Sequence, residues 1–266
     1  MVLHIGTQND DSLTGTALID TFTLLDGNDF ASGGLGLDLF FGGAGDDRLF
    51  GGGDADVIQG EDGDDLLDGG SAGDTLDGGA GIDTASYGSA GAGVTADLSG
   101  DVTATGDAAG DIYQDIENLS GSAFDDALYG DAGGNMLSGG DGADLLNGGA
   151  GADRLQGGAG ADSFVFSSAL DTRSHPGNRD IILDFDTDDT IDLSAIDAVE
   201  GVAGLQDFTF LGLAAEFTGT AGELRYGQSI SKDLTLIHGD TNGDGLSDFQ
   251  IELSGIKTLG VEDFVL

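Results

Sequence analysis

The residues best placed to do chemistry in this sequence are aspartates that recur every nine positions. From Gly6 the chain divides into nine consecutive nonads whose sixth residue is always aspartate: Asp11, Asp20, Asp29, Asp38, Asp47, Asp56, Asp65, Asp74 and Asp83. The phase restarts at Gly121, where five further nonads carry Asp126, Asn135, Asp144, Asp153 and Asp162. Glycine-rich turns lead into these acids. Gly33, Gly34 and Gly36 precede Asp38; Gly42, Gly43 and Gly45 precede Asp47; Gly78, Gly79 and Gly81 precede Asp83. Gly148, Gly149 and Gly151 precede Asp153, and Gly157, Gly158 and Gly160 precede Asp162. In three turns a further acid joins in: Asp54 beside Gly51 and Gly52, Asp62 beside Gly60, and Asp141 among Gly139, Gly140 and Gly142. Glycine enters the φ > 0 region freely and leaves its carbonyl open to a ligand. A Gly-Gly-x-Gly-x-Asp turn therefore offers carbonyl and carboxylate oxygens together. That hard-oxygen set suits Ca²⁺, which takes six to eight oxygens, better than Mg²⁺, which holds its waters in a tight octahedron. These residues are the expected metal ligands from Asp29 onward, since the nonads of Asp11 and Asp20 look like an N-terminal cap. GTALID (15–20) lacks the second and fourth glycines, so Asp20 is not expected to bind metal, and Asn135 should weaken its site.

A second oxygen-rich loop lies near the C-terminus. Asp240, Asn242 and Asp244 stand at positions 1, 3 and 5 of an EF-hand-like start, with Gly245 at position 6. Position 12 is Ile251, where an EF-hand needs a bidentate glutamate. Two readings remain open for this loop: a distinct Ca²⁺ site that uses Asp248, or an Asx/Gly turn between strands.

The elements that must position these turns follow from the eighth residue of each nonad. It is apolar throughout: Leu13, Phe22, Ala31, Phe40, Leu49, Ile58, Leu67, Leu76 and Ala85, then Leu128, Leu137, Leu146, Leu155 and Phe164. A three-residue strand with its central side chain inward fits this pattern. Two nonads make one coil, and stacked coils pair their strands in parallel around a thin apolar ladder. The expected fold class is all-β, a parallel β-roll with an interruption and a C-terminal β cap. A glycine-rich linker has no reason to keep apolar residues in phase. A solenoid whose aspartates only close turns would align uncompensated like charges.

Four segments are expected. Residues 1–86 form a first roll whose opening nonads act as a cap, and residues 121–165 form a second roll. Residues 87–120 break the period and read as a β excursion, with Val94, Ala96 and Leu98 alternating before Ile112, Ile116 and Leu119; Glu117 and Asn118 are read as structural. In 166–266 longer strands such as Phe208-Thr209-Phe210 and Leu234-Thr235-Leu236-Ile237 suggest an antiparallel β cap over the open end of the roll.

Composition narrows the function. Fifty Asp and Glu face seven Lys and Arg, a formal net charge of −43. A chain so charged repels itself unless cations neutralise it. Seven basic residues cannot build a phosphate-binding surface, which argues against nucleic acid and anionic membranes. No apolar run is long enough to span a bilayer, and the N-terminus lacks the pattern of a Sec signal peptide. Without cysteine there are neither disulfides nor thiolate metal sites. His4, His175 and His238 lie far apart, with no H-E-x-x-H among them, and no G-x-S-x-G elbow occurs. The chain is expected not to be an enzyme.

The strings GGLGLD (33–38), GGAGDD (42–47), GGAGID (78–83), GGDGAD (139–144) and GGAGAD (148–153 and 157–162) resemble the RTX nonapeptide G-G-x-G-x-D-x-U-x, where U is a large apolar residue. IDLSAIDA, GTAGELRY and GDTNGDG resemble the C-terminal domain of serralysin-type (peptidase M10) proteases, without the protease domain. The resemblance implies several bound Ca²⁺, an extracellular location, and export by a type I ABC transporter that reads an uncleaved C-terminal signal. Glu262-Asp263-Phe264-Val265-Leu266 is similar to such a signal. An adhesin, matrix or surface-layer component with a cell-surface or polysaccharide partner is an alternative. So is an accessory module of a secreted protease, lipase or alginate epimerase.

Overall fold

The computed structural model describes residues 1–172, 177–213 and 216–266. His175 lies outside the described residues. The chain divides into two compact units, Met1–Leu128 and Tyr129–Leu266. The fold is all-β and is a parallel β-roll, as the nine-residue period predicts. Among the described residues the only helical elements are two 3₁₀ turns, Gly106–Ala108 and Val261–Asp263. Among the described residues no helix is long and apolar enough to cross a membrane.

In the first unit successive short strands alternate between two parallel sheets. One sheet runs Val2–Ile5, Asp20–Asp26, Leu39–Ala44, Val57–Asp62, Thr75–Ala80 and Ile112–Gln114. Its partner runs Ser12–Thr14, Phe30–Leu35, Arg48–Gly53, Leu66–Ser71, Thr84–Ser86 and Asn118–Ser120. The register is one coil of eighteen residues: Leu39 pairs with Val57 and Val57 with Thr75, while Phe30 pairs with Arg48 and Arg48 with Leu66. This spacing brings the eighth positions directly above one another. Phe22, Phe40, Ile58 and Leu76 line one wall, Ala31, Leu49, Leu67 and Ala85 the other, and all eight are fully buried. The rings of His4 and Phe22 stack at 4.6 Å and those of Phe22 and Phe40 at 4.5 Å, so an imidazole closes the aromatic end of the ladder.

The excursion is shorter than residues 87–120. The chain leaves the stack after Ser86, forms the strand Thr95–Asp97 and the turn Gly106–Ala108, and rejoins at Ile112, which pairs with Thr75. Asn118–Ser120 pairs in parallel with Thr84–Ser86. Residues 112–120 are thus a coil of the roll whose spacing to the previous one is stretched.

In the second unit the parallel stack also outruns the glycine-rich repeats. Met136–Asp141, Arg154–Ala159 and Ile181–Ile182 pair in one sheet, and Leu145–Asn147, Ser163–Val165 and Thr190–Asp192 in the other. The roll does not stop at 165. Counted from Gly121, Asp180 and Asp189 fall on the sixth position, and the fully buried Ile182 and Ile191 on the eighth. The expected antiparallel cap follows: Phe249–Ser254, Leu234–Asp240 and Glu223–Ser229 form antiparallel pairs. Two parallel contacts frame them, with Thr209–Leu213 on Glu223–Ser229 and Ile181–Ile182 on Phe249–Ser254.

The ladder is one residue thick on each wall, so no neighbour can refill a hole in it. Leu67→Ala should lower unfolding stability by about 2–5 kcal/mol, measured by urea denaturation under conditions where the parent is folded. Solvent-exposed Leu37→Ala should change it by less than about 0.5 kcal/mol.

Candidate functional site

The loops between strands fall into columns, and one hydrogen bond repeats down each. In both units the backbone N–H of the sixth-position residue donates to Oδ1 of an aspartate one coil further on in loop after loop. Asp11, Asp29, Asp47 and Asp65 donate in this way to Asp29, Asp47, Asp65 and Asp83 at 2.7, 2.8, 2.7 and 2.8 Å. Across the coil, Asp20, Asp38 and Asp56 donate to Asp38, Asp56 and Asp74, each at 2.7 Å. The second unit repeats the bond from Asn135 to Asp153 at 2.8 Å and from Asp144 to Asp162 at 2.9 Å.

That bond uses one carboxylate oxygen. The other, Oδ2, is buried without a hydrogen-bond partner in Asp29, Asp38, Asp47, Asp56, Asp65, Asp74, Asp83 and Asp153. These residues are at most 2% exposed. Buried carboxylate oxygens are ordinarily satisfied, because desolvating them without a partner costs free energy. The first glycine of each turn makes room for this oxygen. A Cβ added to Gly33, Gly42, Gly51, Gly60 or Gly148 would collide with Oδ2 of Asp38, Asp47, Asp56, Asp65 or Asp153. The second glycines, Gly34, Gly43, Gly79, Gly140, Gly149 and Gly158, all lie at φ > 0, as do Gly36, Gly45, Gly81, Gly142, Gly151 and Gly160 at the fourth position.

Stacking without counterions raises the pH at which these acids lose their protons. Burial, followed by neighbouring carboxylates and opposed by the ladder N–H, pushes Asp47, Asp56 and Asp74 up to about 7 and Asp65 to about 6. Asp153 rises to about 7 for the same reasons. Asp29, Asp38, Asp83 and Asp162 are raised too. Asp20 moves the other way. Burial pushes it up, but the backbone and hydroxyl of Thr16 outweigh that, helped by His4, whose Nε2 lies 3.6 Å from Oδ1.

A column of buried anionic oxygens beside glycine carbonyls fits a hard divalent cation. Each loop would contribute a carboxylate and backbone carbonyls rather than a cluster of acids. In keeping with that, no three His, Cys, Asp or Glu side chains converge as a metal-holding group among the described residues.

Not every residue singled out by sequence joins the columns. Asp54, Asp62 and Asp141 are exposed, and Oδ2 of Asp54 accepts the N–H of Gly36 at 3.1 Å. Asp126 accepts from Ser122 and from the N–H of Val94, and Asn135 accepts the N–H of Asp131. In the C-terminal loop Asp240 accepts the N–H groups of Gly243 and Gly245, and Asp248 accepts from Thr241 and Asn242. Asn242 and Asp244 accept the N–H groups of Asp244 and Leu246. This geometry is that of successive Asx turns. His238 sits on a strand, its imidazole pushed down to about 4 by burial and by the charges of Arg225 and Arg179.

Four ladder residues were not anticipated as such. Asp74 donates to Asp111 at 2.9 Å and Asp83 to Glu117 at 2.8 Å, so the stretched coil continues both columns. Asp153 donates to Asp180 at 2.9 Å and Asp162 to Asp189 at 3.0 Å. Phase alone marks Asp180 and Asp189. Nothing in the period marks Asp111 or Glu117.

The sequence profile of the peptidase M10 serralysin C-terminal family matches residues 12–266. The chain belongs to this family. The serralysin C-terminal domain is the non-catalytic part, and its family comes from secreted proteins. Among solved structures, it is similar to the AlgE6R3 subunit of the Azotobacter vinelandii mannuronan C5-epimerase, at 34% identity over 56% of this chain and 77% of that one, with a TM-score of 0.42. The AlgE6R2 subunit of the same enzyme is 32% identical over 56% of this chain and 92% of that one, with a TM-score of 0.37. The extracellular lipase LipA of Serratia marcescens is 16% identical, with all of this chain aligned to 40% of the lipase and a TM-score of 0.31. No curated protein matches.

The raised acids set a pH dependence. Each binds its proton more tightly in the fold than in the unfolded chain, where aspartate sits near 3.9. Without metal, the fold should therefore gain stability as pH falls from about 7 towards 4, and lose it as pH rises back through the folded values. Circular dichroism in chelator from pH 7.5 to pH 5 measures this: β signal should grow as pH falls, and a weaker β signal at pH 5 than at pH 7.5 would contradict it.

Proposed function

We propose that this chain is a secreted calcium-binding RTX module that folds as it takes up several Ca²⁺ between stacked loops, and that it acts without catalysing a reaction. The observation that carries the reading is the column of buried, unpartnered Oδ2 atoms. Their desolvation and mutual repulsion oppose the fold, and divalent cations relieve both. Binding free energy then becomes folding free energy. At low cytosolic Ca²⁺ the charge of −43 keeps the chain extended; outside the cell, at about millimolar Ca²⁺, low-affinity sites fill.

Type I export through an ABC transporter is part of the same proposal. The C-terminal segment supports it because its last strand is unpaired, and Phe264 accessible, only in the unfolded chain. In the fold, Phe264–Val265 pairs with Thr190–Asp192, and Phe264 is buried. The identity to the epimerase subunits favours a second reading, in which the module serves a secreted enzyme. Turnover of alginate, casein or an ester by the purified chain would replace the non-enzymatic reading.

Circular dichroism of chelator-treated protein should show a cooperative gain of β signal on adding Ca²⁺ and none on adding Mg²⁺. A full β spectrum in chelator at pH 7.5, unchanged by Ca²⁺, would sink the proposal. Asp47→Ala and Asp153→Ala should each raise the Ca²⁺ midpoint several-fold, whereas Asp20→Ala should leave the number of bound ions unchanged. Removing residues 261–266 should abolish secretion from a cell that carries the exporter. Normal secretion of the truncated chain would refute the signal assignment.

A further inference from the structure

The loops adopt two conformations, and the second residue of the turn separates them. In the turns that end at Asp29, Asp38, Asp47, Asp56, Asp65, Asp74, Asp83 and Asp153, the second residue is left-handed. Its φ is +84° at Leu25, +105° at Gly34, +115° at Gly43, +110° at Gly52, +77° at Glu61, +87° at Gly70, +99° at Gly79 and +79° at Gly149. In each of these eight turns the aspartate Oδ2 is buried and unpartnered.

In five other turns the second residue is Thr7, Thr16, Ser122, Asp131 or Ser167, and none of them is left-handed. There its N–H donates to the sixth-position side chain. Thr16 N–H reaches Asp20 Oδ2 at 2.6 Å, Asp131 N–H reaches Asn135 Oδ1 at 2.9 Å and Ser167 N–H reaches Asp171 Oδ2 at 3.0 Å. Thr7 and Ser122 do the same for Asp11 and Asp126. The hydroxyls of Thr7 and Thr16 add a bond to the same carboxylate, each at 2.9 Å. The hydroxyls of Thr16 and Ser122 also accept the N–H two residues on, from Leu18 and Phe124.

We infer that a short hydrogen-bonding residue at the second position closes a loop on its own carboxylate and removes it from the set of cation sites. This rests on the calcium reading above and assigns which loops serve it. Ser, Thr and Asp bond their own turn, and the β-branched threonine in addition resists the left-handed region, whereas glycine enters it freely. The fourth residue is left-handed in the same eight turns and in none of the five, but its type does not decide the matter: Asp54 and Ala72 occupy it at φ +71° and +99° in loops whose Oδ2 is unpartnered, while Gly133 occupies it in the closed turn of Asp131 without being left-handed. Leu25 and Glu61 lack a short donor or acceptor and are carried into the left-handed region by the stack, at the cost of strain.

The test counts Ca²⁺ per full chain at saturation by native mass spectrometry, with circular dichroism to confirm folding. Thr16→Gly should bind one ion more than the parent, and Thr16→Ser the same number. An unchanged count in folded Thr16→Gly, with the parent binding Ca²⁺, overturns the inference alone. If Thr16→Gly does not fold in Ca²⁺, Ser122→Gly decides by the same count. A parent that binds no Ca²⁺ removes the functional reading and the inference together. Glu61→Gly should keep the parent count and lower the folding midpoint by roughly two- to tenfold in Ca²⁺. A midpoint that stays or rises speaks against the strain in that loop.

Discussion

Each coil of this roll rests on a carboxylate that faces two ways. One oxygen accepts the backbone N–H of the previous coil, which fixes the height of the stack, and the other is sealed inside the loop column. The first of these bonds sets the eighteen-residue register, and the register in turn brings the eighth-position side chains into contact. The apolar ladder is thin, so the wall of loops and the core cannot be separated energetically. Whatever disturbs the acids disturbs the packing of Phe22 on Phe40 and of Leu49 on Leu67.

The columns end where protein groups take over the second oxygen. Thr16 does so for Asp20, and Thr7 for Asp11. At the far end of one column the phenol of Tyr87 donates to Asp111 Oδ2 at 2.8 Å and also bonds the hydroxyl of Tyr113. Burial drives the Tyr87 hydroxyl well above its ordinary range, so it stays a donor at every accessible pH. The interior coils, by contrast, keep oxygens that no protein group satisfies.

Much of this was legible in the sequence because the repeat encodes it twice, once in glycines and once in the sixth and eighth positions. Where both signals agree, as from Gly33 to Asp83, strands and loops fall as expected. Where only the second survives, as at Asp180 with Ile182 and Asp189 with Ile191, the roll continues under a sequence that reads as something else. Asp111 and Glu117 were not legible because a ladder residue needs only an oxygen at the right height. A detour of variable length can deliver that oxygen without leaving a mark in the period. At Asp54, Asp62 and Asp141 acidity within the motif suggested a ligand, and the side chains lie exposed because the left-handed second residue of the turn breaks the strand's alternation. That second-position threonines and serines close a loop could be seen only once hydrogen bonds were in view.

The coil of eighteen holds two loops of nine, and these emerge on opposite flanks. Growth and loss in such a chain are therefore quantised. Duplicating a whole coil inserts a storey and leaves every later loop on its own flank. Gaining or losing a single nonad swaps the flanks of everything downstream while leaving the inward-facing ladder apolar. The detour between Ser86 and Ile112 shows how the stack escapes that arithmetic: Ile112 follows its partner Thr75 by a non-integral interval yet lands on the correct sheet. A lineage of such proteins can lengthen by whole storeys and accept foreign segments between them, provided that each segment returns the chain to the edge from which it left.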